Sequence, residues 1–136
     1  MAEFRIGEAA ELLGVSPDTV RRWIDSGRIE AARDAAGRRT VDGAALASFA
    51  RSRAAAPGAG AESSSARNRL RGIVTDVVKD TVMAKVDLQA GPFRVVSLMS
   101  REAVDELDLQ VGSVAVAVVK STAVVVERAC RSKDSP

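Results

Sequence analysis

The sequence predicts an α+β chain of two units, a compact helical domain with a strand pair followed by a small β-barrel. Three observations predict it. Apolar residues recur at helical spacing in the first part of the chain, as in Ile6, Ala9, Ala10 and Leu13. From Arg69 to Arg128 they gather instead into short valine-rich runs parted by turn residues. Between these parts lies Ala54-Ala-Ala-Pro-Gly-Ala-Gly-Ala-Glu-Ser-Ser64, small and polar with Gly and Pro, which is linker composition. The expected boundaries are a first domain at 1–53, a flexible linker at 54–64, a second domain at 65–129 and a polar tail at 130–136.

In the first domain the Ile6–Leu13 periodicity ends at Gly14, a suitable residue just beyond a helix C-terminus. Ser16 then serves as an N-cap, with Pro17 at the first helical position and Asp18 beside the positive helix end. The second helix is expected to bury Val20, Trp23 and Ile24 and to stop at Ser26-Gly27. Two short helices joined by Leu13-Gly14-Val15-Ser16 form a helix-turn-helix pattern, because a tight Gly-containing turn sets their crossing angle. Arg28–Thr40 reads as two short strands around Ala35-Ala36-Gly37, a wing. A third helix is expected at Asp42–Ser52, with Ala45, Leu46, Phe49 and Ala50 facing inward and Phe4 in the core.

The segment Phe4–Gly27 resembles the MerR/excisionase class of winged helix-turn-helix domains, over roughly the first fifty residues. The resemblance implies double-stranded DNA as a partner. Ser16, Thr19, Arg21 and Arg22 would face the groove, and Arg38 and Arg39 on the wing would contact phosphate. The chain departs from the regulator members of that class in lacking their long dimerisation helix, so pairing must come from elsewhere.

Composition removes whole classes of chemistry. The 136 residues contain no His and no Tyr, which excludes His-based triads, His-ligated zinc and imidazole acid/base pairs. The single Cys130 excludes an intrachain disulfide and a Cys-cluster metal site. No nucleophile–base pair is evident, so the chain reads as a binding protein rather than an enzyme. A net charge of +2 is too small to mark a nucleic-acid binder by itself, so DNA contacts require a local basic cluster. No signal peptide and no apolar run of bilayer length is present, which leads to the expectation of a cytoplasmic protein with no membrane partner.

In the second domain, strands are expected at Arg69–Val78, Val82–Leu88, Arg94–Met99, Ser113–Lys120 and Ala123–Glu127, with a helix at Arg101–Leu107. Lys79-Asp80, Ala90-Gly91-Pro92 and Gln110-Val111-Gly112 supply the turns. Five short strands and one helix suggest a small OB-like β-barrel. Single-stranded nucleic acid is a poor ligand for it, since Phe93 is the only aromatic for bases to stack on. Two clusters of donors stand out: Ser65-Ala-Arg-Asn-Arg-Leu-Arg-Gly72, and Lys120-Ser121-Thr122, which has no carboxylate in it. Lys and Arg only donate, and Ser and Thr hydroxyls can rotate to donate, so the clusters together suit a small, fully deprotonated oxyanion.

Ser65-Ala-Arg-Asn, Ser100-Arg-Glu-Ala-Val-Asp-Glu-Leu and Val119-Lys-Ser-Thr-Ala-Val are similar, in register, to the motifs of the molbindin (Mop) family, which binds molybdate or tungstate. The resemblance covers Ser65–Arg128. It implies that Ser65, Ala66 and Arg67 meet the anion from one subunit, while Ser100, Lys120 and Ser121 complete the shell from a neighbour in a homo-oligomer. Many members carry a serine where this chain has Ala103. The hydroxyl lost there would have to be replaced by a backbone N–H at the start of the Arg101–Leu107 helix, since helix N-termini attract anions. A donor-only pocket suits a dianion with acceptor oxygens on every side, whereas the O–H of hydrogen phosphate would face another donor. The expectation is a molybdate- or tungstate-responsive DNA-binding transcriptional regulator. The alternative is an intracellular molybdate or tungstate store.

Overall fold

The computed structural model describes residues 2–54 and 64–131. The chain divides into two compact units, Met1–Ala56 and Pro57–Pro136. Most of the expected linker and the last five residues of the tail lie outside the described residues.

The first unit follows the local signals closely. Helix α1 (Ile6–Leu13) ends at Gly14, whose φ of 69° is the left-handed region that glycine enters without steric cost. Helix α2 (Pro17–Asp25) starts at Ser16, whose Oγ accepts from the Thr19 amide at 3.2 Å. Helix α3 (Gly43–Ser52) is capped by Asp42, which accepts from the Ala45 amide at 3.2 Å. The wing forms from β2 (Ala32–Arg33) and β3 (Arg39–Asp42), with Gly37 at φ 80° in the turn. A strand that periodicity does not reveal, β1 (Glu3–Arg5), pairs antiparallel with the other edge of β3, giving the sheet order β1-β3-β2. Ala9, Ala10, Val20, Ile29, Val41 and Leu46 make one core, with Phe4, Trp23, Ile24 and Phe49 packed against it. Trp23 and Ile24, expected to be buried, are half-buried instead. Trp23 lies at the rim, its ring 5.0 Å from that of Phe49 and under the Arg53 guanidinium at 4.5 Å.

The second unit is a four-stranded antiparallel sheet in the order β6-β5-β4-β7, with helix α4 (Arg101–Glu106) between β6 and β7 in sequence. Its strands are β4 (Asn68–Lys79), β5 (Met83–Ala90), β6 (Phe93–Ser100) and β7 (Val114–Val119). Two features curl it. The β4–β5 register shifts between Val74 and Asp76, a bulge that increases local twist. At Gly72 the strands approach so closely that a Cβ would collide with the Gln89 carbonyl. Val74, Ala84, Val86, Leu88 and Val104 form the core on the concave side. The Gln110–Gly112 turn is tied back to β4 by reciprocal bonds of 2.8 Å, Gly112 N–H to the Val74 carbonyl and Val74 N–H to the Ser113 carbonyl.

One expected element is absent. Ala123–Glu127 does not form a fifth strand: a single 3₁₀ turn at Ser121–Ala123 is followed by residues with no ladder partner. Val125 and Val126 are 84% and 87% exposed. Their β propensity is present, but they pair with neither edge strand of the sheet. The single chain therefore supplies a curled half-barrel with two open edges. Among the described residues no helix is long and apolar enough to cross a membrane.

Candidate functional site

Residue pairing brings the two donor clusters of the second unit together. Asn68, the first residue of β4, pairs with Val119, the last of β7, and its side-chain Nδ2 also donates to the Val119 carbonyl at 3.0 Å. Arg67 and Lys120 are the next residues outward on those two strands, followed by Ala66 and Ser65 on one side and Ser121 on the other. Ala66 is buried, and its N–H donates to the Ser64 Oγ at 3.1 Å; Arg67 Nη1 donates to the Ser64 carbonyl at 2.9 Å. Ser65, Arg67, Lys120 and Ser121 are all exposed. Among the described residues, neither Arg67 nor Lys120 is paired with a carboxylate. Like charges on facing strands repel. Two cationic residues just beyond the last paired rung, with no carboxylate partner among the described residues, make an anion-attracting strand end, and exposed Arg69 and Arg71 extend the positive field along β4.

Ser100 and Ala103 lie elsewhere. Ser100 pairs with Met83 beside the far end of β4, where Lys79 pairs with Ala84. Asn68 and Lys79 are separated by roughly 36 Å of strand at 3.3 Å per residue. Within one chain, β4–β7 pairing gathers Ser65, Arg67, Lys120 and Ser121 at one end of the sheet, while Ser100 and Ala103 lie at the other. Ser100 caps α4, its Oγ accepting from the Ala103 N–H at 3.1 Å, so that N–H is already engaged. The hydroxyl that accepts this bond keeps its own proton to donate outward. Ser100 lines a shallow cleft with Arg101, Glu102, Asp105 and Glu106. Of these carboxylates, Asp105 is neutralised by Lys79 at 2.7 Å, and that bond holds its carboxyl below the usual range.

In the first unit the predicted groove-facing residues lie together on the exposed side of α2, with Thr19 half-buried at their centre. Ser16 Oγ and Thr19 Oγ1 share a 2.8 Å hydrogen bond, and Arg22 Nη2 donates to Thr19 Oγ1 at 3.2 Å. Arg21 is paired with Asp18 at 2.6 Å. On the wing, Arg38 pairs with Asp34 at 3.3 Å. The Arg38 amide, then that of Ala36, holds the Asp34 carboxyl below its ordinary value. Arg39 departs from the wing tip: its Nη1 reaches back to Asp25 Oδ1 on α2 at 2.9 Å, bridging wing and helix. Arg33, which sequence reading passed over, flanks the turn beside Arg38 and donates to the Gly37 carbonyl at 2.6 Å. Its position in a β-hairpin register is the signal that would have found it.

Comparison with known proteins divides the chain in the same way. Residues 3–54 match the model of a helix-turn-helix domain and residues 64–126 that of the TOBE domain. Over 63 residues the chain is 43% identical to molybdenum-pterin-binding protein 2 of Clostridium pasteurianum, covering 46% of this chain and 93% of that protein. It is likewise 43% identical over 63 residues to a probable molybdenum-pterin-binding protein of Haemophilus influenzae, covering 46% and 91% respectively. Among solved structures, a molybdate-binding protein from Sporomusa ovata is similar, with 36% identity, a TM-score of 0.46, and coverage of 47% of this chain and 96% of that one.

Proposed function

Through residues 64–126 the chain belongs to the TOBE-domain family that includes the molybdenum-pterin-binding proteins, and with a helix-turn-helix domain at residues 3–54 as its other half, we propose that it is a molybdate- or tungstate-responsive DNA-binding transcriptional regulator. Residues 1–53 read DNA, 54–64 tether them, and 65–129 bind the oxyanion. One observation carries this reading. Arg67 and Lys120 adjoin at the end of the β4–β7 ladder with no carboxylate partner among the described residues.

In this proposal Ser65, the Ala66 backbone, Arg67, Lys120 and Ser121 of one protomer surround one side of the dianion. Charge-assisted bonds from Arg67 and Lys120 offset the cost of stripping its water. The Ser100 hydroxyl of a second protomer closes the other side, with Ala103 beside it and its N–H holding Ser100 Oγ in place, so the site is finished only in a homo-oligomer. The open edges and exposed Val114, Val116 and Val118 of the half-barrel support such assembly. Paired barrels present two heads to half-sites related by the same axis. Ser16, Thr19, Arg21 and Arg22 meet the groove, while Arg38 contacts phosphate and Arg39 braces the wing. Ligand at the subunit interface changes head spacing or assembly, which is the regulatory step.

Titration calorimetry of the full chain with molybdate, tungstate and sulfate, together with DNA anisotropy in the presence and absence of molybdate, tests the proposal. Tight molybdate or tungstate binding that alters DNA affinity is expected. Equal binding of sulfate sinks the oxyanion reading. Molybdate binding without any DNA affinity leaves storage as the function.

A further inference from the structure

One side chain at the donor end, outside the proposed anion shell, joins the two strands that carry its cations. Asn68 Nδ2 donates to the Val119 carbonyl at 3.0 Å, linking residues 51 apart in sequence. The bond lies at the last rung of the ladder. Beyond it, Arg67 precedes β4, and Lys120 continues extended (φ −62°, ψ 142°) into the Ser121–Ala123 turn. We propose that Asn68 is a positioning residue for the oxyanion site, its carboxamide clasping the end of β7 so that Arg67 and Lys120 stand ready on either side of the anion. The proposal rests on the oxyanion reading above.

The physical need for a clasp comes from the charges themselves. Without an anion to offset them, a guanidinium-bearing and an ammonium-bearing residue adjoin at a strand end, where ladders fray most easily. Repulsion would splay the ends, and the ligand would then have to spend affinity on reordering them. A side-chain amide suits the position. Its NH₂ donates to a carbonyl that the fraying strand would otherwise expose, and it brings no charge. Aspartate would set an acceptor against that carbonyl and a negative charge beside the anion, and serine would be too short to span the strands.

The test uses the full chain and molybdate titration. Asn68→Ala should weaken molybdate binding about five- to tenfold. If it acts through Lys120, the double variant Asn68→Ala/Lys120→Ala should bind no more than about twofold more weakly than Lys120→Ala alone. Combined with Ser100→Ala, at the far end of the sheet, the two effects should multiply. Hydrogen exchange of the Lys120–Ala123 amides in the unliganded variant should rise, a change that a general loss of stability would spread over the whole sheet. Asn68→Ser provides a second variant with the same expected pattern should the alanine fold poorly. Parent-like affinity in both variants, or multiplication with Lys120→Ala, overturns the clasp while leaving the oxyanion site standing. A parent chain that takes up no molybdate defeats the site reading, and the clasp with it.

Discussion

In the first unit the apolar side chains close on one another: Val20 and Val41 are fully buried, and Leu12 is the one large apolar side chain left exposed among its described residues. In the second, Leu98 is 75% exposed, and alternate valines of β7 and the Val124–Val126 segment face outward. Between the two candidate sites charge runs the opposite way. Arg21, Arg38 and Arg39 each have an acidic partner within the first unit, whereas among the described residues Arg67 and Lys120 have none. A unit with satisfied packing and exchangeable surface ion pairs needs no partner to fold. Such pairs are worth about 0–1 kcal/mol and give way readily to phosphate. A unit with unfinished packing and cations lacking a described counter-charge fits the proposal, in which its edges meet another chain and its charges an anion.

The largest effect should come from breaking that completion. Val116→Asp or Val125→Asp places a charge on an apolar face and should convert the assembled chain to monomers on a sizing column. DNA affinity should then fall about a hundredfold or more as the linkage between heads is lost. Residues 1–54 alone should stay folded and monomeric, with similarly weak DNA binding. A full chain that is monomeric at micromolar concentration breaks the comparison.

Next in size are the cations. Arg67→Ala or Lys120→Ala should each cost about 1.5–3 kcal/mol of molybdate binding, roughly ten- to a hundredfold by calorimetry, without loss of fold. The paired arginines should behave more mildly. Arg38→Ala should reduce the slope of log affinity against log salt by about 0.9, one phosphate contact, on any duplex. Arg39→Ala should change the slope less, because its side chain is turned from the wing tip toward α2 and is the less exposed of the two. Equal slopes for the two variants would return Arg39 to the phosphate contact set.

The smallest effects concern pH. With no histidine in the chain, molybdate affinity should stay nearly constant between about pH 6 and 8. The Lys79 hydrogen bond lowers the folded pKa of Asp105, so its contribution to stability is present above the ordinary carboxylate value of 3.8 and is lost as pH falls through the depressed one. Asp105→Asn should therefore narrow the difference in melting temperature between neutral and acid pH. An unchanged acid profile would show the Lys79–Asp105 bond to be without weight.

Features set by neighbours within a few residues were largely legible in the sequence: the Gly14 terminus, the Ser16 cap, the wing turn and the strand-parting turns. These depend on local backbone geometry and nearby hydrogen bonds, which residue type alone constrains. The donor character of Ser65, Arg67, Lys120 and Ser121 was legible for the same reason, since it belongs to the side chains themselves. Strand β1, the unpaired Val124–Val126 segment and the tether from Arg39 to Asp25 were not. Nor was the gathering of Arg67 and Lys120 at one end of the sheet with Ser100 at the other. Each depends on which strand edge or charge lies across a gap of many residues, and hydrophobic periodicity is the same whether that edge is present, occupied or supplied by another molecule. Only the tertiary pairing decides it.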